Sequence, residues 1–295
     1  MRDLTLAGPA CAAMAALLLM TPAIAQAQTQ TQTSSPARTK PPASSPATIT
    51  LTRLDCGEYR QPRDVSAFSD AFAYTDPPLR MPFVASCYLI RHGDQLMLWD
   101  AGFAGSTETI LLRRTLPEQL AEIGVDPAKV AFVGISHYHG DHIGQASRFP
   151  QAKLLIGAGD WAVLTATPPR YANADPAPLA HWISGGGTVE QLTGDKDVFG
   201  DGSVTILNLP GHTPGHHGLL VRLPKTGPVL ISGDAVHFRE NYEHDRVPGF
   251  NIDRADSLAS IDRLKAIAKA LGAKLIIQHD HRDVASLPAF PKAAE

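Results

Sequence analysis

Positions 137–142 hold three imidazoles and a carboxylate in the run Ser136-His137-Tyr138-His139-Gly140-Asp141-His142, and this constrains the chain more than any other feature. Neutral imidazole nitrogen and carboxylate oxygen are ligands for zinc and other first-row divalent ions. The run follows residues 130–135, a short β-branched stretch with the pattern of a buried strand. In extended chain, side chains two apart point the same way, so His137 and His139 can share one ion. Asp141 and His142 are adjacent at the expected start of a helix and can turn toward a second.

Three later strand ends carry the same kind of residue. His212 lies in Pro210-Gly211-His212-Thr213-Pro214-Gly215-His216 after residues 204–209, Asp234 follows residues 229–231, and His279 follows residues 274–277. One His or Asp after a strand is usually an ordinary turn residue; four such stations call for a fold that delivers strand ends to one edge. Further strands are expected at 49–54, 87–91, 96–99, 154–156 and 218–221, with 92–95 as a hairpin turn. A short helix opens at Pro117. Leu258, Ile261, Leu264, Ile267 and Leu271 recur at helical spacing in a segment that Asp253 or Asp256 can cap and Gly272 ends. Strands and helices do not alternate strictly, so sheets covered by helices fit better than a closed barrel.

The chain has 295 residues and a formal charge of -3, with 26 basic against 29 acidic side chains. That balance gives no general electrostatic drive toward nucleic acid or anionic lipid, both of which need a concentrated positive field. Residues 1–27 read as a signal peptide, with Arg2, an apolar stretch at 10–20, and small-x-small cleavage at Ala23-Ile24-Ala25 or Ala25-Gln26-Ala27. The stretch is too short for a bilayer core of about 30 Å. The expected product is exported, periplasmic or secreted, with no stable membrane insertion once the leader is cleaved. Residues 28–47 are rich in Ser, Thr, Gln and Pro and cannot bury enough surface to order, so they read as a flexible tether before a domain at 48–295. Cys56 and Cys87 lie near the ends of two expected strands; a disulfide and two buried thiols are both compatible with that placement.

With these residues in view, His137-x-His139-x-Asp141-His142, His212 in its PGHTPGH setting, Asp234 in SGDA and His279 resemble the metal signature of the metallo-β-lactamase superfamily. Leu98-Trp99-Asp100-Ala101-Gly102 belongs to the same resemblance, which covers nearly everything after the tether. It implies an α+β fold, an αββα sandwich, with two divalent ions at one edge. His137, His139 and His212 would hold the first ion, Asp141, His142 and His279 the second, and Asp234 both. Zinc is the first expectation, with cobalt, manganese or iron as alternatives. With seven ligands supplied, Asp100 is left to brace the loop. Relatives commonly form homodimers, although no residue here marks an interface.

Within the superfamily the chain is most similar to the N-acyl-homoserine lactonases, the quorum-quenching enzymes. The similarity includes Phe68-Ser69-Asp70 through Tyr74, residues 87–92, Ile277-Gln278-His279, Asp283-Val284-Ala285 and Leu287-Pro288-Ala289-Phe290. It implies opening of the lactone ring by a hydroxide shared between the ions, with Asp141 carrying a proton to the leaving alkoxide. Many members place a Tyr three residues after the bridging Asp; His237 stands there instead, and its N–H can donate to the developing oxyanion. Phe68, Phe72, Tyr74, Met81 and Phe83 are the candidates for an acyl-chain groove. The alternative is another hydrolase on the same scaffold, acting on a different lactone or ester, an organophosphate, a thioester or a β-lactam. Asp234 argues against β-lactamases, and the leader against cytoplasmic thioesterase or nuclease work. A third class, a module merely stapled by zinc, would close its coordination with protein ligands.

Overall fold

The computed structural model describes residues 48–71, 78–168 and 170–295. The expected signal peptide and tether, together with Phe72 and Tyr74, lie outside the described residues. In chain order the strands begin with β1 (Ile49–Tyr59), β2 (Arg63–Asp64), β3 (Arg80–Met81), β4 (Val84–His92) and β5 (Gln95–Trp99). Next come β6 (Ile110–Leu111), β7 (Phe132–Gly134), β8 (Lys153–Gly157), β9 (Val189–Leu192) and β10 (Lys196–Asp197). Strands β11 (Val204–Asn208), β12 (His217–Leu223), β13 (Gly227–Ile231) and β14 (Lys274–Ile276) complete the series. The helices are α1 (Leu116–Glu122), α2 (Gly140–Ile143), α3 (Ala158–Thr165), α4 (Ala180–Ile183), α5 (Arg239–Glu243), α6 (Arg254–Leu271) and α7 (His281–Val284).

The period-two alternation of β4 defines the layers. Tyr88 and Ile90 enter a core shared with Val204, Leu219, Val229 and Ile276, while Cys87 and Leu89 enter one shared with Leu116, Leu120 and Trp182. The first core is therefore the seam between two sheets and the second lies under the helices outside the first sheet. A third core joins Leu220 and Leu230 on the outer face of the second sheet to Ile261 and Leu264 of α6. These are the four layers of an αββα sandwich.

Strand direction explains why the ligand stations meet. In the first sheet, ordered β6-β1-β4-β5-β7-β8-β9, the strands β5, β7, β8 and β9 run parallel, so the chain leaves β5, β7 and β8 at one edge. In the second, ordered β10-β11-β12-β13-β14, β11 and β13 are both antiparallel to β12, and β14 is parallel to β13. The C-terminal ends of β11, β13 and β14 consequently share an edge as well, which is where ligands bind in sheets of this kind.

Local signals set the boundaries. Asp253 caps α6 by accepting from Asp256 N–H, and Gly272 ends it in the left-handed region. Thr115 and Glu118 form a reciprocal capping box on α1, with Pro117 in its first turn. Of the two cysteine readings, the structure takes the disulfide. Leu54 pairs with Cys87 across β1 and β4, and a register shift between Asp55 and Glu58 brings Cys56 to a Cα–Cα distance of 5.8 Å from Cys87. Strands β9 and β10 were not expected. Val189 and Glu190 of edge strand β9 and Lys196 of edge strand β10 are only half-buried, so neither strand shows clean alternation.

Candidate metal centre

Beyond β7 the chain stays extended long enough to aim His137 and His139 at one point, and the loop after β11 brings His212 to them. His137 Nε2 and His139 Nδ1 are 2.9 Å apart, and His212 Nε2 lies 3.2 Å from the first and 3.0 Å from the second. Three ring nitrogens this close form one face of a tetrahedron whose edge, for metal–nitrogen distances of about 2.0–2.1 Å, is about 3.3 Å. The opposite ring atoms are held: His212 Nδ1 is 2.8 Å from Asn251 Oδ1, His139 Nε2 is 2.7 Å from the Asn173 amide, and His137 Nδ1 is 3.1 Å from Ser136 Oγ. Such partners fix ring orientation and tautomer.

A second group forms beside it. His142 Nε2 and His279 Nε2 are 3.2 Å apart, each 3.7 Å from Asp141 Oδ2. His142 Nδ1–H donates to Asp100 Oδ2 at 2.8 Å, and His279 Nδ1–H to the Val84 carbonyl at 2.7 Å. Asp234 lies between the groups, with Oδ1 2.9 Å from His279 Nε2 and 3.2 Å from His142 Nε2, and Oδ2 3.5 Å from His212 Nε2 and 3.7 Å from His137 Nε2. Its Oδ1 is buried yet makes no properly aligned hydrogen bond. An orphaned carboxylate oxygen among imidazole nitrogens is costly unless a cation accepts its lone pairs. Donor chemistry, convergence and this orphan oxygen all fit divalent metal ions, with Asp234 standing between the two donor groups.

The electrostatics differ between the two groups: burial keeps the rings of the first neutral, as metal ligands must be, while the carboxylates around the second favour charge on His142 and His279. Burial pushes the pKa of His137 and His212 well below the usual imidazole value, and ligands must be deprotonated. Burial opposes charge on His142 too, but Asp234, Asp100 and Asp141 outweigh it and raise its pKa well above the usual value. Asp234 is also buried, and His279, His142, His137 and His237 around it hold its pKa well below the carboxylate range despite that.

Three residues outside the donor set, Asp160, His216 and Asp100, clamp the ligand loops. Asp160, in the first turn of α3, accepts from Tyr138 N–H at 3.1 Å, Thr213 Oγ1–H at 2.9 Å and Gly215 N–H at 2.7 Å, joining the loop after β7 to the loop after β11. Burial nevertheless pushes its pKa up to about 7, the three hydrogen bonds opposing that shift. His216 donates from Nδ1 to the Leu209 carbonyl and accepts at Nε2 from the Asp234 backbone N–H, both at 2.8 Å. Asp100 does brace: Oδ1 accepts from Ser136 N–H at 2.7 Å and Oδ2 also accepts from Gln278 Nε2 at 2.6 Å. It does so from φ 58°, a left-handed conformation rare for Asp, the kind of strain that persists where surroundings enforce it. The loops also need bare backbone, since a Cβ on Gly157 would sit 2.0 Å from the Gly215 carbonyl oxygen.

The metal groups floor a pocket of about 280 Å³. Phe68 and Phe83 are on its wall, and Phe83 stacks on the ring of His279 at 4.0 Å between centroids. Met81 packs against the Val65, Phe68, Phe83 and Phe238 cluster and is not among the lining residues. His237 lines the pocket at 4.7 Å from Phe68, with its Nε2 3.1 Å from Asp234 Oδ2 and its Nδ1 buried without a partner. Its one partnered nitrogen thus serves the shared carboxylate. Sequence reasoning missed Tyr59, Arg63 and Phe250 on the wall and Asp160 behind it. None lies in a ligand motif, and their placement depends on contacts between distant segments.

The family model for the metallo-beta-lactamase superfamily matches residues 80–279. The N-acyl homoserine lactonase AttM of Azorhizobium caulinodans is 33% identical over 190 residues, 59% of this chain and 66% of the relative. The match thus spans just under two thirds of that relative's length. An N-acyl homoserine lactonase of Bacillus sp. is 27% identical over 223 residues, covering 70% of this chain and 85% of that one. A solved quorum-quenching N-acyl homoserine lactone lactonase superposes with a TM-score of 0.69 at 23% identity, covering 85% of this chain and 100% of its own. At that identity the superposition establishes the fold. Four layers, donor groups gathered at the shared strand edge and a family match over residues 80–279 lead to one conclusion: the chain belongs to the metallo-beta-lactamase superfamily.

Proposed function

We propose that the protein is a dinuclear metal-dependent hydrolase that opens the lactone ring of N-acyl homoserine lactones, with zinc as the ion. The observation that carries the reading is Asp234, set between two groups of donors at the base of an aromatic-walled pocket. The likeness to relatives named as N-acyl homoserine lactonases selects the substrate class. When bound, two divalent ions supply Lewis acidity and make water acidic enough to attack near neutral pH; one zinc alone lowers its pKa from about 15.7 to about 7.

The chain's own residues do the rest. His137, His139 and His212 would hold one ion and Asp141, His142 and His279 the other, with Asp234 between them, all at the base of the pocket. Asp141 is only part-buried, its side chain 17% exposed, and lies on the pocket wall, so its carboxylate is placed to pass a proton to the leaving alkoxide. His237 steadies Asp234 through Nε2. Phe68 and Phe83 are buried along the wall and, with the exposed ring of Phe250, give an apolar chain a surface.

The same proposal places the protein outside the cytoplasm after export. The leader pattern at 1–27 supports this, as does the Cys56–Cys87 disulfide, since disulfides persist in oxidising compartments. Among the described residues no helix is long and apolar enough to cross a membrane.

The test is turnover of zinc-loaded protein on short- and long-chain N-acyl homoserine lactones, set beside a thioester, a phosphotriester and nitrocefin. Ring opening should dominate. No opening at any chain length, with turnover of another substrate, would replace the lactonase reading and leave the metal centre standing.

A further inference from the structure

Polar side chains on the pocket wall are few. His139, Asp141, His212 and Asp234 belong to the metal groups, and the Nε2 of His237 is directed at Asp234. Only Tyr59 and Arg63 remain among the described lining residues; the others, Ala67, Phe68, Phe83 and Phe250, are apolar.

These two are built as a unit. Tyr59 ends β1, where its N–H donates to the Phe83 carbonyl at 3.0 Å. Its ring packs edge-on against Phe83 and Phe103 at 5.2 and 5.9 Å, which fixes it while its hydroxyl makes no hydrogen bond to a described residue. Arg63, in β2, sets its guanidinium carbon 4.6 Å over the Tyr59 ring, and no carboxylate pairs with it among the described residues. Both residues also line an adjoining cleft of about 400 Å³, so they stand where the metal pocket opens. A phenol and a guanidinium at one spot are O–H and N–H donors facing apolar rings, which suits a carbonyl oxygen better than an alkyl group.

We propose that Tyr59 and Arg63 are specificity-determining residues that donate to the acyl carbonyl oxygen of the substrate, so that the site selects lactones bearing an acylamido group over plain alkyl lactones. The inference rests on the lactonase reading. A lactone without the amide leaves the part-buried Tyr59 hydroxyl without a partner and Arg63, exposed at the pocket mouth, with water alone, and sites built to hydrogen-bond a substrate group discriminate against analogues that lack it. The ring-opening machinery is unaffected, since neither residue belongs to a metal group.

The experiment compares zinc-loaded full-length protein with Tyr59→Phe, which keeps the ring packing, and Arg63→Met, which keeps the stem, on N-hexanoyl-L-homoserine lactone and on γ-decalactone. Each variant should lower kcat/KM on the acylamido lactone about 10- to 100-fold and change that on γ-decalactone less than about 3-fold, with Arg63→Lys recovering part of the loss. Equal losses on both substrates, or no loss on either, overturn the proposal. If wild type opens neither lactone, the lactonase reading fails. In that case, or if γ-decalactone alone is not turned over, the pair is judged by calorimetric binding of N-hexanoyl-L-homoserine, which retains the amide. Binding at least about 10-fold weaker in both variants sustains the pair, whereas equal affinity, or no binding to any of the proteins, overturns it.

Discussion

A ligand side chain is only as good as the atoms that orient it. His216 illustrates this, since burial lowers its pKa to about 3 and keeps it neutral, able to accept from the Asp234 N–H while donating to Leu209. His216→Ala would leave that buried N–H unpaired, at a cost of about 1–3 kcal/mol. Metal analysis should then show loss of zinc alongside a lower Tm, and full occupancy would contradict the bracing role. His237→Phe keeps the aromatic packing but removes the Nε2 contact that steadies Asp234, and should slow turnover on the order of 10- to 100-fold. Unchanged turnover would reduce His237 to scaffold. Asp160 supplies a pH test. Its folded pKa of about 7 lies above the ordinary 3.8, so the native state binds this proton more tightly than the unfolded chain. Its contribution to stability is therefore complete below about pH 4 and lost as pH rises through about 7. In chelator-treated protein, the difference in urea midpoint between wild type and Asp160→Asn should change between pH 4 and 7 and be flat above 8. A pH-independent difference would show that the carboxyl is ionised throughout.

At the level of elements, helix α6 does more than cover the second sheet. Ser260 Oγ–H donates to the Pro210 carbonyl at 2.6 Å, Asp253 N–H to the Gly211 carbonyl at 2.9 Å, and a Cβ on Gly211 would meet Ser257 N at 2.3 Å. The N-terminus of the helix is thus pressed against the loop that aims His212. Asp253→Ala should cost about 0.5–2 kcal/mol in urea unfolding through the lost cap. Because that terminus supports His212, the variant should also release zinc at a lower chelator concentration. Retention of zinc at wild-type affinity would separate the cap from the ligand loop.

Across the whole molecule, the seven donors come from both halves. His137, His139, Asp141 and His142 follow a strand of the first sheet, while His212, Asp234 and His279 follow strands of the second. Ions held by these donors would therefore tie the sheets together. Ligand present at about 1,000 times its Kd stabilises by about 4.1 kcal/mol, which for a domain of this size is roughly 8–16 °C in Tm. Chelation should lower the melting temperature by about that much and zinc should restore it; an unchanged Tm would mean that the donors do not bridge the sheets. The disulfide closes a separation of 31 residues within the first sheet, and Cys56→Ser with Cys87→Ser should cost about 4 kcal/mol.

The ligand stations were legible in the chain because imidazole and carboxylate are identified by residue type, and each follows a short apolar run that is itself a local signal. His137, His139, Asp141, His142, His212, Asp234 and His279 could therefore be named as candidates from sequence and resemblance, and the structure gathers them; the caps of α6 were legible as well. Folding decided what depends on distant segments meeting. A bulge in β1 brought Cys56 to Cys87, burial within α3 turned Asp160 into a clamp, Met81 went behind the aromatic cluster, and Tyr59 and Arg63 were set on the wall. Residue chemistry is written position by position, but the pocket wall and the bracing depend on packing geometry that exists only after the two sheets have closed on each other.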